Sequence, residues 1–481
     1  MDMTPDDFPT SAYIGGTWVT SKDQFAVINP ATGLDIARVP NLTPADARRA
    51  IDAASSALPE WSAKTAKERA AVLRRWYDLI LAEAEALAQL MTAEQGKPLA
   101  ESRGEVAYGA SFVEWFAEEG KRAYGRTIPT TASTKRYITI KQPIGVVAAI
   151  TPWNFPIAMI TRKVAPALAA GCTIIVKPAE DTPLCALALA KLAEKAGVPA
   201  GVFNVVTTQD ARGVGEVLCA DGRVRKLTFT GSTEVGKILY RQCADTVKKL
   251  TLELGGNAPL IIFDDADLDQ AVAGAMASKY RNAGQTCVCA NRIIVQAGIY
   301  DRFASALAAA AEKLVVGPGA TAGVNLGPLI NAEAVAKVEN LMADAVAKGG
   351  TVKTGGAKDA AGSLFYKPTV LTGVTADMDI VSQEIFGPVA ALIKFETDEE
   401  AIALANNTPF GLAAYLFSQN IHRAWKAAEK LEAGMVGVNE GIFSNEVVPF
   451  GGVKESGLGR EGAAEGLEEY LETKFICLGG M

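Results

Sequence analysis

The candidate chemistry of this 481-residue chain centres on a cysteine with small and polar neighbours. Cys287 lies in the run RNAGQTCVC at residues 281–289, and Glu253 lies upstream in the run LELGGN. A thiol and a separate carboxylate suggest a nucleophile and a base. Proteins that use a thiol as nucleophile usually activate it with a histidine, but this chain has a single histidine, His422. If the site uses a base, we expect that base to be a carboxylate.

The alternative for any free cysteine is a small buried core residue. That alternative suits five of the seven cysteines: Cys172, Cys185, Cys219, Cys243 and Cys477. Cys287 differs because it lies in a Gly-Gln-Thr loop. An unperturbed thiol, with a pKa of about 8.5, is only a few per cent thiolate at neutral pH, so reactivity requires nearby amides or a cation. Cys289 either points away, in extended chain, or forms a reversible disulfide with Cys287.

Composition excludes several classes of protein. A hydrophobic fraction of 49% with 21% charged residues predicts a globular chain of two or three domains. No apolar stretch reaches the roughly 20 residues of a membrane helix, and the acidic residues 1–10 do not resemble a signal peptide. A net charge of −7 argues against nucleic-acid binding. Seven cysteines predict reduced thiols in the cytoplasm, and one histidine argues against a triad or a metal site. His422 itself is predicted to lie on a surface helix.

Helical spacing dominates residues 43–124, which predict two or three helices, one of them ending near residues 96–98. Residues 126–142 alternate in polarity and predict an exposed β-hairpin. From residue 144 to about 255, short apolar strands alternate with amphipathic helices. This pattern predicts an α/β fold with a doubly wound parallel sheet, whose ligands bind at the carboxyl ends of the strands.

A second α/β region is predicted beyond residue 255, with strands near 260–263, 292–295, 389–395, 414–417 and 435–438. Helices near 300–315 and 331–348 should pack around these strands. The tail at residues 473–478 predicts one more strand, which could pair with the hairpin of a neighbouring subunit.

Polar and glycine residues follow three strands of the first sheet and indicate a dinucleotide crevice. They form the runs TPWNFP at 151–156, KPAE at 177–180 and TGS at 230–232. The usual Gly-x-Gly-x-x-Gly fingerprint is absent. Residues 231–237 have the spacing of a nucleotide phosphate loop, but Ile238 stands where a magnesium ligand should be. We interpret this turn as a helix N-terminus that can hold a pyrophosphate.

Glu180 is open to two interpretations. A carboxylate after the second strand suits the ribose hydroxyls of NAD and would repel the 2′-phosphate of NADP. The following Asp181-Thr182-Pro183 equally indicates an exposed acid at the start of a helix.

Seven motifs together resemble the NAD(P)-dependent aldehyde dehydrogenases. They are WNFP at 153–156, KPAE at 177–180, FTGS at 229–232, LELGG at 252–256, GQTC at 284–287, EIFGP at 384–388 and PFGGVKESG at 449–457. Within the family, residues 160–163, 279–289 and 439–441 are most similar to the succinate-semialdehyde dehydrogenases. The glutarate-semialdehyde enzymes remain an alternative.

The resemblance implies a three-part architecture. A Rossmann-type NAD(P)-binding domain would comprise residues 1–125 and 143–253, and a catalytic domain residues 254–450. A small β oligomerisation arm would comprise residues 126–142 and 451–481. The resemblance also implies a homodimer or a homotetramer.

The resemblance further implies roles for the site residues. Cys287 would attack the aldehyde carbon, and the Asn154 amide and the Cys287 backbone N–H would stabilise the oxyanion. After hydride transfer to the nicotinamide, Glu253 would activate the water that hydrolyses the thioester. The residues expected at the cofactor are Thr151, Trp153, Lys177, Glu180, Gly231, Ser232, Leu254, Glu384 and Phe386. NAD is the preferred cofactor and NADP the alternative.

The resemblance places Arg162 and Arg281 in the substrate channel, where they would clamp the distal carboxylate of a semialdehyde. Ser444 would be a third contact. Succinate semialdehyde would thus be oxidised to succinate, as in 4-aminobutyrate degradation, with glutarate semialdehyde or a broader aldehyde range as alternatives. A CoA-acylating dehydrogenase or thiol acyltransferase is a different class, and Glu253 argues against it because hydrolysis needs a base. Without the resemblance, both arginines would be interpreted as solvated helix residues.

Overall fold

The computed structural model describes residues 7–480. Residues 1–6 and 481 lie outside the described residues. The prediction that the acidic N-terminus is no signal peptide therefore falls mostly on residues that are not described. In the described part of the chain, no helix is both long enough and apolar enough to cross a membrane.

The strands alternate with helices through most of the chain. The strands are β1 (Ala12–Ile14), β2 (Thr17–Val19), β3 (Gln24–Ile28), β4 (Asp35–Pro40), β5 (Arg126–Ile128), β6 (Lys135–Pro143), β7 (Val146–Ile150), β8 (Thr173–Lys177), β9 (Phe203–Val205), β10 (Val224–Thr230), β11 (Lys249–Glu253), β12 (Ala258–Ile262), β13 (Ala290–Gln296), β14 (Thr351–Thr354), β15 (Thr369–Thr372), β16 (Val389–Phe395), β17 (Phe410–Gly411), β18 (Ala413–Phe417), β19 (Met435–Val438), β20 (Val453–Lys454), β21 (Gly457–Leu458) and β22 (Leu471–Gly479). The helices are α1 (Pro44–Ala63), α2 (Ala66–Ala82), α3 (Ala84–Gln95), α4 (Leu99–Glu119), α5 (Ala158–Ala170), α6 (Leu184–Ala196), α7 (Ala211–Ala220), α8 (Thr233–Cys243), α9 (Leu268–Tyr280), α10 (Tyr300–Ala311), α11 (Ala332–Ala347), α12 (Asp379–Ser382), α13 (Asp398–Asn406), α14 (Ile421–Lys430) and α15 (Ala463–Glu468).

The first sheet has the strand order β2-β1-β9-β8-β7-β10-β11-β21. Its central strands, β9 to β11 in that order, are parallel, which confirms the doubly wound sheet predicted from the sequence. From β7 the chain adds β8 and β9 on one side, then β10 and β11 on the other. The order therefore reverses between β7 and β10, and such a reversal opens a crevice at the carboxyl ends of the strands.

Side-chain alternation covers both faces of this sheet. Val147 and Ala149 of β7 pack into a core shared with helices α2 to α6. Val146 and Ala148 of the same strand face the opposite core, with α1, α7 and α8. Burial on both faces explains why the strands are continuously apolar in sequence.

The second sheet has the order β14-β15-β16-β13-β12-β18-β19. Strands β15, β16, β13, β12, β18 and β19 run parallel to their neighbours. Here too the faces alternate, because Leu260 and Ile262 of β12 pack against α9 to α11 while Ile261 lies in a separate core with α13 and α14. The second α/β region predicted from the sequence is thus present.

A separate three-stranded sheet combines β5, β6 and β22. The hairpin predicted at residues 126–142 is confirmed. The tail, in contrast, pairs with the hairpin of its own chain, from Leu471 opposite Pro143 to Gly479 opposite Lys135. The suggestion that it pairs with a neighbouring subunit's hairpin is wrong for this structure, because the strand that follows α15, β22, already lies beside β6 of the same chain.

Three further expectations need correction or extension. Residues 43–124 contain four α-helices, because the capping boxes at Thr43 and Thr65 and the left-handed Gly96 divide the helical pattern. Strands β1 to β4 were not predicted, since they are short and mostly partly exposed. Cys477 is exposed on β22 and is no core residue.

His422 lies exposed in the first turn of α14, as predicted. The domain boundaries drawn from the sequence stay a prediction.

Candidate active site

The loop before Cys287 has an unusual backbone. Asn282, Ala283 and Gly284 have φ angles of 50°, 53° and 77°, all in the left-handed region. For Asn282 and Ala283 this conformation is strained, so the surrounding contacts must hold it. Gly284 is required, since a Cβ there would lie 2.2 Å from the carbonyl oxygen of Gly387. The turn delivers Cys287 to a half-buried position.

Two cavities meet at Cys287. The first has a volume of about 280 Å³, and its lining includes Tyr108, Phe155, Arg162, Arg281, Cys287 and Ser444. The second has a volume of about 260 Å³, and its lining includes Trp153, Asn154, Gly231, Ser232, Glu253, Leu254, Cys287, Glu384 and Phe386. A thiol at the junction can therefore face one ligand from each side.

The surroundings of the Cys287 thiol favour its protonated form at neutral pH. Burial and the negative charge of Glu384 raise the pKa of Cys287 to about 12, although Arg162 acts in the opposite direction. The thiol therefore acquires its reactivity only when further positive charge or hydrogen-bond donors act on it.

Asn154 lies in the turn after β7 and is 5% exposed. Its Nδ2 donates to the carbonyl oxygen of Gln285 at 3.0 Å, two residues before Cys287. One N–H of the amide is thus used to fix the side chain, and the second is left for a ligand. This arrangement suits a donor to an oxyanion.

Glu253 ends β11, next to Thr230 at the end of β10. The side chain is 2% exposed, and neither carboxylate oxygen has a hydrogen-bond partner among the described residues. Burial, followed by the charge of Glu461, raises the pKa of Glu253 well above its usual value, against the lowering effect of Arg162. A buried carboxylate with a raised pKa is a stronger base than an exposed one.

Arg162 does line the first cavity, as predicted, but it is not a free cation. Its Nε donates to Glu461 at 2.8 Å, and both side chains are at most 2% exposed. The neighbouring Lys163 shares the same carboxylate and donates to Thr230. Both predicted arginines line the cavity, but of the two only Arg162 is held in a buried ion pair with a described residue, Glu461, from a distant part of the chain. That both contact the substrate stays a prediction.

Arg281, unlike Arg162, is not held in an ion pair with a described residue. Within residues 7–480 it makes no ion pair, and its guanidinium lies 5.4 Å from the centre of the Phe155 ring. Ser444 lines the same cavity. Among the described residues, the cavity next to the thiol therefore presents one cation without an ion pair and a hydroxyl to a ligand.

The second cavity opens at the reversal between β7 and β10. Ser232 caps α8 there, accepting from the N–H of Val235 at 3.3 Å, so the helix N-terminus faces the crevice. Trp153 and Phe386 form an edge-to-face pair with ring centres 5.7 Å apart. Glu384 accepts from the N–H of Gly256 at 3.1 Å. Free helix N–H groups for a pyrophosphate and a carboxylate for a ribose fit a dinucleotide.

The remaining predicted cofactor residues lie beside this cavity. Thr151 follows β7, and its N–H donates to the carbonyl oxygen of Lys177, at the end of the adjacent β8, at 3.1 Å. The Lys177 ammonium pairs with Glu180 at 3.0 Å. All three residues therefore lie at the same sheet edge as the crevice.

Comparison with known proteins decides the family. The model of the aldehyde dehydrogenase family matches residues 18–476. This chain belongs to the aldehyde dehydrogenase family. Members of that family oxidise small aldehydes with NAD(P)+, so both the enzyme class and the fold expected from the motifs are confirmed.

Three relatives are similar over nearly the whole aldehyde dehydrogenase chain. A 3-sulfolactaldehyde dehydrogenase of Pseudomonas putida is 59% identical, and the match covers 99% of this chain and 98% of the relative. A glutarate-semialdehyde dehydrogenase of Pseudomonas aeruginosa is 58% identical, covering 98% of each chain. A succinate-semialdehyde dehydrogenase [NADP(+)] of Escherichia coli is also 58% identical, again covering 98% of each.

A solved structure supports the same fold. The succinate-semialdehyde dehydrogenase of Burkholderia pseudomallei superposes with a TM-score of 0.98 at 58% identity, covering 99% of both chains. The arrangement of the two sheets is therefore that of a known aldehyde dehydrogenase.

The second cysteine of the loop points away from the first. Cys289 is buried, and its Sγ lies 3.0 Å from the carbonyl oxygen of Ser278, in hydrogen-bond geometry. Both Cys287 and Cys289 are free thiols here. The reversible disulfide between them stays a prediction.

Sequence reasoning missed the buried groups that surround the site of this aldehyde dehydrogenase. Glu461 and the pair of Lys97 with Glu105 are the main examples. Glu461 lies just beyond the PFGGVKESG motif, and Lys97 lies in a Gly-Lys-Pro turn, so neither has a local signal for burial. Glu105 shares α4 with charged residues such as Glu101 and Arg103, so it too has no local signal for burial.

Proposed function

We propose that this aldehyde dehydrogenase oxidises succinate semialdehyde to succinate with NAD(P)+. The observation that carries the proposal is the unpaired Arg281 guanidinium in the same cavity as the Cys287 thiol. A cation in a cavity lined largely by apolar side chains favours an aldehyde whose far end is a carboxylate. Ser444 supplies a hydroxyl to the same end.

The first step joins the thiol to the aldehyde. Cys287 loses its proton to solvent, and Sγ forms a bond to the aldehyde carbon while the carbonyl π pair moves onto oxygen. The free N–H of the Asn154 amide and the Cys287 backbone N–H stabilise that oxyanion. The product of this step is a thiohemiacetal held between the two cavities.

The cofactor residues orient the second ligand at the thiohemiacetal. When bound, NAD(P)+ supplies the hydride acceptor that leaves a thioester on Cys287. Ser232 and the amides of α8 would hold the pyrophosphate, and Glu384 would hold the nicotinamide ribose. Lys177 and Glu180 would hold the adenosine ribose, and Thr151, Trp153, Gly231, Leu254 and Phe386 would complete the walls.

Hydrolysis then releases the acid. Glu253 takes a proton from water, which attacks the thioester carbon, and the thiolate of Cys287 leaves. Its raised pKa suits this role, since the carboxylate binds the proton strongly. Loss of the proton from Glu253 to solvent and reprotonation of the Cys287 thiolate restore the enzyme.

The names of the relatives support an acidic aldehyde as the substrate class. Succinate semialdehyde, glutarate semialdehyde and 3-sulfolactaldehyde each carry an acidic group in addition to the aldehyde. Their enzymes are 58%, 58% and 59% identical to this chain. Glutarate semialdehyde is the second candidate, because the Pseudomonas aeruginosa relative is as similar as the succinate-semialdehyde enzyme.

For the cofactor, Glu180 supports a preference for NAD over NADP, since its carboxylate would repel a 2′-phosphate. The Escherichia coli relative is named for NADP(+), so both cofactors must be tested. A cytoplasmic location, participation in 4-aminobutyrate degradation and a homodimeric or homotetrameric assembly stay predictions.

Steady-state kinetics with each substrate and each cofactor test the proposal. We expect kcat/KM for succinate semialdehyde to exceed that for glutarate semialdehyde, and both to exceed that for butanal, which has no carboxylate. Equal values for butanal and the two semialdehydes would refute the acidic-substrate proposal. A higher value for glutarate semialdehyde would select the second candidate.

A further inference from the structure

The oxyanion donor and the nucleophile belong to different sheets. Asn154 follows β7 of the first sheet, whereas Cys287 precedes β13 of the second. Their two N–H groups can act on one oxygen only if the two regions are held in a fixed register. Displacements of about 1 Å in such groups are enough to cost a large factor in rate.

A buried lysine binds the backbone carbonyl group of Asn154. Lys97 Nζ donates to the carbonyl oxygen of Asn154 at 2.7 Å and to Glu105 at 2.5 Å, and the side chains of Lys97 and Glu105 are each 1% exposed. The same ammonium lies 4.0 Å from the centre of the Phe155 ring. Glu105 also accepts from the N–H of Ile157 at 2.9 Å, so the pair fixes both the turn and the start of α5.

Asn282, in the loop before Cys287, binds the same carbonyl group. Its Nδ2 donates to the Asn154 oxygen at 3.1 Å and to the Gln285 oxygen at 3.3 Å. The Gln285 oxygen is also the acceptor of the Asn154 amide. Asn282 is thus the residue that joins the two regions, and its left-handed φ of 50° is part of the strained turn before Cys287.

The turn between α3 and α4 holds this arrangement from behind. Gln95 Nε2 donates to Asn282 Oδ1 at 3.1 Å, and Gln95 Oε1 accepts from the N–H of Lys97 at 3.0 Å. Glu101 accepts from the N–H of Asn282 at 2.8 Å. The strained conformation is therefore fixed at its N–H and at both ends of its side-chain amide.

We propose that Lys97 and Asn282 are positioning residues that hold the Asn154 amide in register with Cys287. This inference rests on the proposed role of Asn154 as an oxyanion donor. Neither residue needs to touch the substrate, since both act on the carbonyl group and the loop that fix the Asn154 side chain. Replacing either one should destabilise the transition state more than the ground state, so kcat should fall while KM changes little.

A double-mutant cycle tests the proposal. Removing Lys97 alone would leave Glu105 buried without its counter-ion, so the test variant is Lys97→Met/Glu105→Gln, which removes both charges at similar volume. We expect it to lower kcat with succinate semialdehyde by about 10- to 100-fold and to change KM by less than about threefold, as for a partly misplaced oxyanion donor. Asn154→Ala should lower kcat by about 10²- to 10³-fold. The triple variant should be no slower than Asn154→Ala within about threefold, because positioning is lost only once.

A second variant covers a failure of the first to fold. Asn282→Gly removes the amide and tolerates the left-handed backbone, and we expect the same pattern of coupling with Asn154→Ala. The matched control is Lys226→Met, since Lys226 is equally buried but pairs with Thr251 and Glu469 away from the cavities. This control should lose thermal stability and keep kcat.

Each outcome has one meaning. Unchanged kcat in Asn154→Ala would refute the oxyanion role in the proposed function and, with it, this inference. Slow Asn154→Ala with unchanged kcat in both positioning variants would refute this inference alone. Rate losses that multiply in the combined variants would also refute it, because Lys97 and Asn282 would then act independently of Asn154.

Discussion

Arg162 donates to Glu461 at 2.8 Å inside the protein, beside the candidate substrate cavity. This pair separates two arginines that the sequence treated alike. Arg162 is committed to a buried ion pair, whereas Arg281 lines the cavity without one. Substrate charge should therefore be recognised by Arg281, and Arg162 should chiefly hold the buried cluster together.

Replacing Arg281 with alanine should raise KM for succinate semialdehyde by about 10- to 100-fold, because a hydrogen bond to a charged group contributes about 1.5–3 kcal/mol. KM for butanal should stay unchanged, since butanal has no carboxylate. Steady-state kinetics with both aldehydes measure the difference. A similar rise for both aldehydes would contradict the assignment.

Arg162→Met is the matched comparison for that prediction. It leaves Glu461 buried with Lys163 as its remaining cation, and breaking a buried ion pair typically costs about 3–5 kcal/mol of stability. Denaturant unfolding should detect this loss. If stability were unchanged and KM for succinate semialdehyde rose strongly, Arg162 would be a substrate contact after all.

Cys287 should react slowly with iodoacetamide in the ligand-free enzyme. Because burial and the charge of Glu384 raise the pKa of its thiol to about 12, the thiolate fraction should increase about tenfold per pH unit between pH 7 and 10. Mass spectrometry of the Cys287 peptide measures the rate, and the Cys287→Ala variant supplies the background from other thiols. That variant should also produce no NADH. A rate that levels off below pH 9 would show a thiol with a much lower pKa.

Glu253→Gln should separate the two chemical steps. The amide cannot take a proton from water, so steady-state turnover should fall by about 10²- to 10⁴-fold. A burst of NADH equal to the concentration of active sites should remain, because the thiohemiacetal and the thioester still form. Stopped-flow absorbance measures the burst. Its loss would mean that Glu253 is needed for the attack of Cys287.

Glu180→Gln should relax the choice of cofactor. Two unit charges about 4 Å apart in water repel each other by about 1 kcal/mol, so kcat/KM with NADP+ should rise by about fivefold. Glu216→Gln, an exposed substitution on α7, serves as the control for net charge. If both variants gave the same change, the effect would be one of overall charge.

Glu384 should make the stability depend on pH. Burial raises the pKa of Glu384 to about 7, against the hydrogen bond from Gly256. Since the folded state then binds the proton more tightly than the unfolded state, this contribution is fully present below the unfolded pKa and is lost as the pH rises through about 7. We expect Glu384→Gln to melt at a higher temperature than the parent at pH 8 and this gain to shrink at pH 5. A gain that increased toward pH 5 would contradict the raised pKa.

Much of the fold was predictable because local pattern and tertiary structure agree. Strands β16 and β19 lie where the apolar runs placed them, and Gly171 ends α5 in the left-handed conformation that terminal glycines favour. Short strands such as β1 and β2 were missed, since three residues are too few to show a distinctive period. The partner of the tail was wrong, because strand pairing depends on where the chain passes in space.

The sequence by itself determined the family, the doubly wound sheet and the candidate residues Cys287, Glu253 and Asn154. These follow from short motifs and from apolar periodicity, both of which are local properties of the chain. Only the tertiary structure decided which charges are free. Glu461 forms an ion pair with Arg162 although nearly 300 residues separate them, and Lys97 reaches the Asn154 carbonyl from the turn between α3 and α4. Ion pairs and hydrogen bonds depend on distance in space, and one sequence without its fold carries no record of that distance.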